Sequence, residues 1–348
     1  MSKIALLLLV LVLFPNGHVA AAEFRIGVLY WSMNIPGQVA MRQGLEEEAA
    51  AINRMAGIEN QPSLTLLPRV AGDGPEGIET QIRQMRELIE LAVDLIIVQP
   101  TDNAALSEPL RQANAKNIPV VAYDQYISGG KLAAYRSSDN YQAGYLDGEY
   151  IASRFTADHV IRLILVEYPH VSSTVERVDG FLDALDHLGR NYRILATYQA
   201  VEPVAGKMAG EQLLQDFPQK SSVDVVFTVN DGGGLAVVDA LAAAGRNEIM
   251  VASVDGDPRS VDNIRAGRLT VIDAAQYCGP LGAEAMRAAY ALLTKRPFPF
   301  HALVPVFPIT AETLPMYSGW QGPIAADFDK PWPSDSRLWR GVLRVVDR

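Results

Sequence analysis

The sequence predicts an α/β fold of two doubly wound, parallel-sheet lobes with a ligand cleft between them. Short β-rich apolar runs alternate with helix-length amphipathic segments from Phe24 to about Leu293. The runs lack the polar alternation of a half-solvated strand, so each is expected to be covered on both faces, as in a parallel sheet. The series is also too long for one core, which favours two lobes over a single one.

The chain has 348 residues, 49% hydrophobic and 20% charged, a globular composition with length enough for two lobes of ordinary size. At its start Lys3 precedes an apolar run from Ile4 to Phe14, Pro15-Asn16-Gly17 breaks it, and Ala20-Ala21-Ala22 supplies small residues. The run is too short to span a bilayer, and the pattern is that of a secretory leader over residues 1–22, cut near Ala22. The expected destination is the periplasm. Cys278 is the only cysteine, so no disulfide and no thiolate metal cluster is expected, and the thiol is expected to be buried.

Phe24–Tyr30 reads as the first strand, with Trp31 to Gly37 as the loop at its carboxyl end. Gln38–Ala51 follows as a helix with Ala40, Met41, Leu45 and Ala49 on one face. Leu64–Val70 is the second strand, and Gly72-Asp73-Gly74-Pro75 leads into a helix carrying Ile78, Ile82, Met85 and Ile89. The run Leu95–Val98 ends in Gln99-Pro100-Thr101-Asp102, a helix buries Leu106, Leu110 and Ala113, and Ile118–Tyr123 runs into Asp124-Gln125. Ligands of such sheets sit beyond the carboxyl ends of the strands, which is where Asp124 stands.

A second set of the same units begins near Asn140. It comprises helices 141–155, 173–188, 207–217 and one from Gly232 to near Gly245, with strands 161–166, 194–197, 223–228, 250–254 and 269–274. A last helix covers 279–293. From Ile309 to Arg348 lie Trp320, Trp332 and Trp339 with four prolines, expected either to wrap the lobes or to form a docking surface for a membrane partner.

The run from Gln99-Pro100-Thr101-Asp102 through Asn117-Ile118-Pro119-Val120-Val121 and Asp124 to Ser138-Asp139-Asn140 resembles the ribose-type periplasmic sugar-binding proteins. Their type 1 periplasmic binding fold is shared with the effector domains of lactose-repressor-type regulators. The resemblance spans residues 24–307. It implies a three-segment hinge near Ser137, Gln276 and Val306. The N-terminal lobe would then hold 24–137 plus 277–306, and the C-terminal lobe 138–276 plus 307–348.

A polyhydroxylated ligand needs planar, multidentate donors and acceptors in a dry cleft, with apolar surface against its C–H faces. The strand ends offer Asp124, Asn230, Asp255 and Gln276, and Arg177 adds five fixed donors. By resemblance each matches a sugar-contacting position. Gln125 stands where the family often has arginine. The positions whose aromatics stack on the sugar in ribose binders read Gly37-Gln38 and Val201, so the resemblance does not carry ribose itself across. In the first loop Trp31 is the candidate stacking face, with Asn34 beside it, and Tyr126 and Tyr168 are weaker candidates. Asp139 and Asp231 read as helix-start acids.

The net charge of −10 argues against a nucleic-acid partner. Nucleophile-elbow and phosphate-loop motifs are absent from the sequence, and the histidines lack metal-ligand spacing, so neither catalysis, cofactor nor metal is expected. A repressor would need a DNA-binding motif before Phe24, where the residues are apolar. The expected function is that of a monomeric periplasmic substrate-binding protein of a sugar-type ABC transporter, which closes on a small sugar or related polar solute and delivers it to a membrane permease. The alternative is a ligand-sensing partner of a membrane sensor histidine kinase.

Overall fold

Residues 22–346 are described by a computed structural model. In chain order the N-terminal lobe starts with β1 (Glu23–Tyr30), α1 (Pro36–Glu59), β2 (Ser63–Val70), α2 (Gly74–Glu90), β3 (Leu95–Val98), α3 (Ser107–Ala115), β4 (Val120–Tyr123) and β5 (Ala134–Ser138). The C-terminal lobe holds α4 (Asn140–Ser153), β6 (Val160–Glu167), α5 (Ser172–His187), β7 (Asn191–Gln199), α6 (Pro203–Asp216), β8 (Val225–Thr228), α7 (Asp231–Ala243), β9 (Met250–Asp255), α8 (Pro258–Ala266) and β10 (Thr270–Gln276). The chain then returns through α9 (Cys278–Leu293) and β11 (His301–Val304), crosses again to β12 (Val306–Ile309), and ends with β13 (Phe328–Asp329), β14 (Leu338–Trp339) and β15 (Arg344–Val346). The leader expected over residues 1–22 lies, but for Ala22, outside the described residues.

The two large sheets have the orders β15-β11-β5-β4-β3-β1-β2 and β12-β10-β9-β8-β6-β7. All pairings are parallel except β15 on β11 and β12 on β10. Central strands β3, β4 and β8 are buried at every position, as apolar runs without alternation require. Strand order reverses beside β1 in one lobe and beside β6 in the other, which opens a crevice at each carboxyl edge. The two crevices face one another.

Helix α1 is longer than expected, running on to Glu59 because Asn60 caps it in the left-handed conformation. Strand β5, not among the strands expected from the sequence, carries the chain to the first crossing. Its Arg136 is buried and donates to the Pro299 and Phe300 carbonyls, so β11 docks alongside it.

The C-terminal segment wraps the lobes. Trp339 Nε1 donates to the Val306 carbonyl, and its ring lies 5.4 Å from Phe307 and 5.1 Å from Phe328. Trp332 sits edge-on to Tyr150, and Trp320 Nε1 donates to the Asp255 carbonyl at 2.6 Å. This segment departs from the expected boundary that placed 307–348 wholly on the C-terminal lobe. Gln321 Nε2 donates to Ala40 O in α1, and β15 pairs with β11 at the edge of the N-terminal sheet. An edge strand with free backbone groups recruits whatever chain can reach it, and β15 does.

Candidate ligand-binding site

Two of the polar strand ends take unusual backbone to reach the cleft. Asp124 has φ +65° and Asp255 φ +126°, conformations that cost a non-glycine residue free energy and persist where the surroundings demand them. Asn230 is extended and caps α7, accepting from Gly233 N at 3.2 Å while its amide donates to the Val201 carbonyl at 3.0 Å.

Arg177 comes from α5 rather than from a strand. Helices α4 and α5 touch backbone to backbone, because a Cβ on Gly144 would lie 1.8 Å from the Arg177 carbonyl and one on Gly180 2.1 Å from that of Tyr141. That approach brings Arg177 Nε within 2.9 Å of Asn140 Oδ1, while Nη1 reaches Val229 O at 2.7 Å and Asp255 Oδ1 at 3.1 Å. Gln276 Nε2 donates to the same Asp255 oxygen at 2.6 Å and accepts from Ser138 Oγ at 2.6 Å. Asp124, from the other lobe, accepts from Gln99 Nε2 at 2.9 Å.

Asp124, Arg177, Asn230, Asp255 and Gln276 wall a cavity of about 40 Å³, together with Trp31, Gln125, Gln38, Ser173 and Thr174. Trp31, Asp124, Gln125, Arg177, Asn230, Asp255 and Gln276 are each no more than 8% exposed. Asn34 is not among them. The loop turns inward at Trp31 and Ile35 and outward at Asn34, whose amide binds Asp73 Oδ2 at 2.6 Å on the exposed side. Tyr126 and Tyr168 also lie outside the cavity wall.

Burial sets the electrostatics. It raises the Asp255 carboxyl to about 6 against the lowering effect of Arg177 and Gln276, and it raises Asp124 against Gln99 and Arg177. Two acids face one guanidinium in a space with little water, where hydrogen-bond donors on a ligand are worth most.

The lobes also meet at the cleft mouth. Asn103 Oδ1 accepts from Ser172 N at 3.1 Å, Gln125 Oε1 accepts from Ser173 N at 3.3 Å, and Tyr126 N donates to Ser172 Oγ at 3.2 Å. Such bonds across the opening describe a shut cleft.

Residues 26–297 match the periplasmic binding protein domain. The chain belongs to that family. Over 274 residues this periplasmic binding protein is 27% identical to the ribose import binding protein RbsB of Bacillus subtilis (strain 168), covering 78% of this chain and 83% of that one. A protein from Mycobacterium smegmatis solved in complex with β-D-fucofuranose superposes with a TM-score of 0.73 at 21% identity, over 84% of this chain and 93% of that one. The fructose-binding periplasmic domain of a hybrid two-component system superposes with a TM-score of 0.72 at 22% identity, over 84% and 92%. Both superpositions bear on the fold of this periplasmic binding protein, whose two parallel-sheet lobes they share.

Sequence reasoning missed Gln38, Ser173, Thr174 and Gln99. Ser173 and Thr174 stand four and three residues before Arg177, so helical spacing puts all three on one face, a signal available in the sequence. Gln99 has no such signal. It becomes relevant only because β3 and β4 are neighbours, which sets its amide against Asp124.

Proposed function

We propose that this chain is an exported solute receptor whose lobes close on a small sugar or related polyol and present it to a membrane permease of the ABC type. The observation that carries the reading is a buried interlobe cavity to which both lobes contribute strand-end polar side chains. Trp31, Asp124, Gln125, Arg177, Asn230, Asp255 and Gln276 are the proposed ligand contacts. Trp31 offers the apolar face, and the others supply the donors and acceptors that a ring of hydroxyls needs. The curated relative that imports ribose supports a sugar-type solute, and the altered stacking positions Gly37 and Val201 argue for one other than ribose.

Because the seven residues are almost wholly buried, a solute enters only when the lobes part. The moving units are the N-terminal lobe, 24–137 with 277–306 and the edge strand β15, and the C-terminal lobe, 138–276 with the segment from 307 to β14. A leader cut near Ala22 would deliver the chain to the periplasm, where it would act as a monomer. A second reading, delivery of the closed form to a sensor kinase, is favoured by the likeness to a periplasmic domain of a two-component system.

A thermal-shift screen of the mature chain across pentoses, hexoses and polyols tests the receptor reading, since a ligand that binds only the folded state raises the melting temperature by mass action. At least one sugar or polyol is expected to raise it, and the shift should vanish in Arg177→Ala. A screen in which none of these classes shifts the wild type counts against it.

A further inference from the structure

Helix α5 carries Arg177 about one and a half turns from its start, yet that start has no cap of its own. Its N-cap residue is Val171, which makes no side-chain hydrogen bond. An α-helix leaves its first amides without partners inside the helix, and Ser, Thr, Asp or Asn normally stands there to satisfy them. The amides of Ser172 and Ser173 find their acceptors in the other lobe instead, on Asn103 Oδ1 and Gln125 Oε1. Asn103 is itself held in the N-terminal lobe, its carbonyl accepting from Ser128 N at 2.7 Å.

We propose that Asn103, with Gln125, is a trans-lobe cap for α5, a positioning residue that completes the helix carrying Arg177 only when the cleft is shut. Opening the lobes leaves the first turn of α5 uncapped and exposed to water, and closing them restores the acceptors. The free energy of capping is thereby added to closure, and the guanidinium is presented from a completed helix at the moment the solute is enclosed. The helix dipole makes the interaction sensitive to charge, since an anion at that terminus is stabilised further. The inference rests on the receptor reading for the meaning of closure.

Its test needs no ligand, so its failure and the failure of a sugar screen are separate events. Spin labels on Glu79→Cys and Lys207→Cys, on exposed helix faces of opposite lobes, report the interlobe distance of the mature chain by electron double resonance, with buried Cys278 unlabelled. In Asn103→Ala the open-to-closed ratio should rise roughly fivefold, the size of one lost cap. In Asn103→Asp it should fall below the wild-type value, because the shape is kept and a negative charge is added. General destabilisation cannot move the two variants in opposite directions. Any other pattern, including two unchanged distributions or two shifts of the same sign, overturns the proposal.

Discussion

Arg177 and Asp255 form an ion pair of 3.1 Å with side chains 3% and 9% exposed, and no element of the N-terminal lobe takes part in it. Asp124, on the opposite wall, has an amide donor but no such cation. One half of the site therefore arrives neutralised, while the other carries a carboxylate whose further partners must come from across the cleft.

Removing the arginine leaves Asp255 buried without its cation. Arg177→Ala is expected to lose at least a hundredfold in ligand affinity and to cost about 3–5 kcal/mol of stability, the range for breaking a buried pair from one side. Adding Asp255→Asn should return much of that stability and none of the affinity. Calorimetric titration and chemical denaturation of the two variants separate these roles. Recovery of binding in the double variant would make the arginine a structural residue only.

The buried carboxyls set a pH dependence with a definite sign. Burial raises Asp255 to about 6 and Glu176 to about 7, above the ordinary carboxyl range near 4. Between about pH 4 and 7 the folded chain thus holds more protons than the unfolded one. The stability these groups contribute is present in full below their unfolded pKa values and is lost as pH rises through 6 to 7. Melting of the ligand-free chain should occur higher at pH 5 than at pH 7.5, and Glu176→Gln with Asp255→Asn should flatten the slope. Affinity for a hydroxyl-bearing ligand should run the other way, weakening below about pH 6 as Asp255 takes up its proton. A melting point that drops on acidification to pH 5 would count against this assignment.

The C-terminal segment is fastened by a buried acid. Glu149 accepts from Lys330 Nζ at 2.6 Å, from Trp332 Nε1 at 2.9 Å and from Ser334 Oγ. Glu149→Ala strands a lysine that is 5% exposed and is expected to cost about 3–5 kcal/mol. Glu149→Ala with Lys330→Met should recover part of the loss. Deleting the chain after Phe307 should abolish soluble protein, because Phe307 then loses the ring of Trp339 and β11 its partner β15. Soluble, ligand-binding truncated protein would restore the docking role for this segment.

Much of this architecture is legible in the sequence. Leu95–Val98 and Ile118–Tyr123 have no polar alternation, and that alone places them inside a parallel sheet. From there the carboxyl ends of strands are where a ligand belongs, so Asp124, Asp255 and Gln276 could be read directly. Arg177 was legible through its motif context. Asn34 shows the limit, because a loop's composition does not say which of its side chains turn inward.

What the chain determined by itself is the succession of strands and helices and the polar residues at their ends, since periodicity and strand termination are properties of neighbours in sequence. Tertiary structure decided which of those residues meet. Asn103 and Ser172 are 69 positions apart and Arg177 and Asp255 are 78 apart, and nothing local links either pair. The first encounter depends on how two separately packed sheets are set against one another, and the second on how α5 packs beside the end of β9 within the C-terminal lobe.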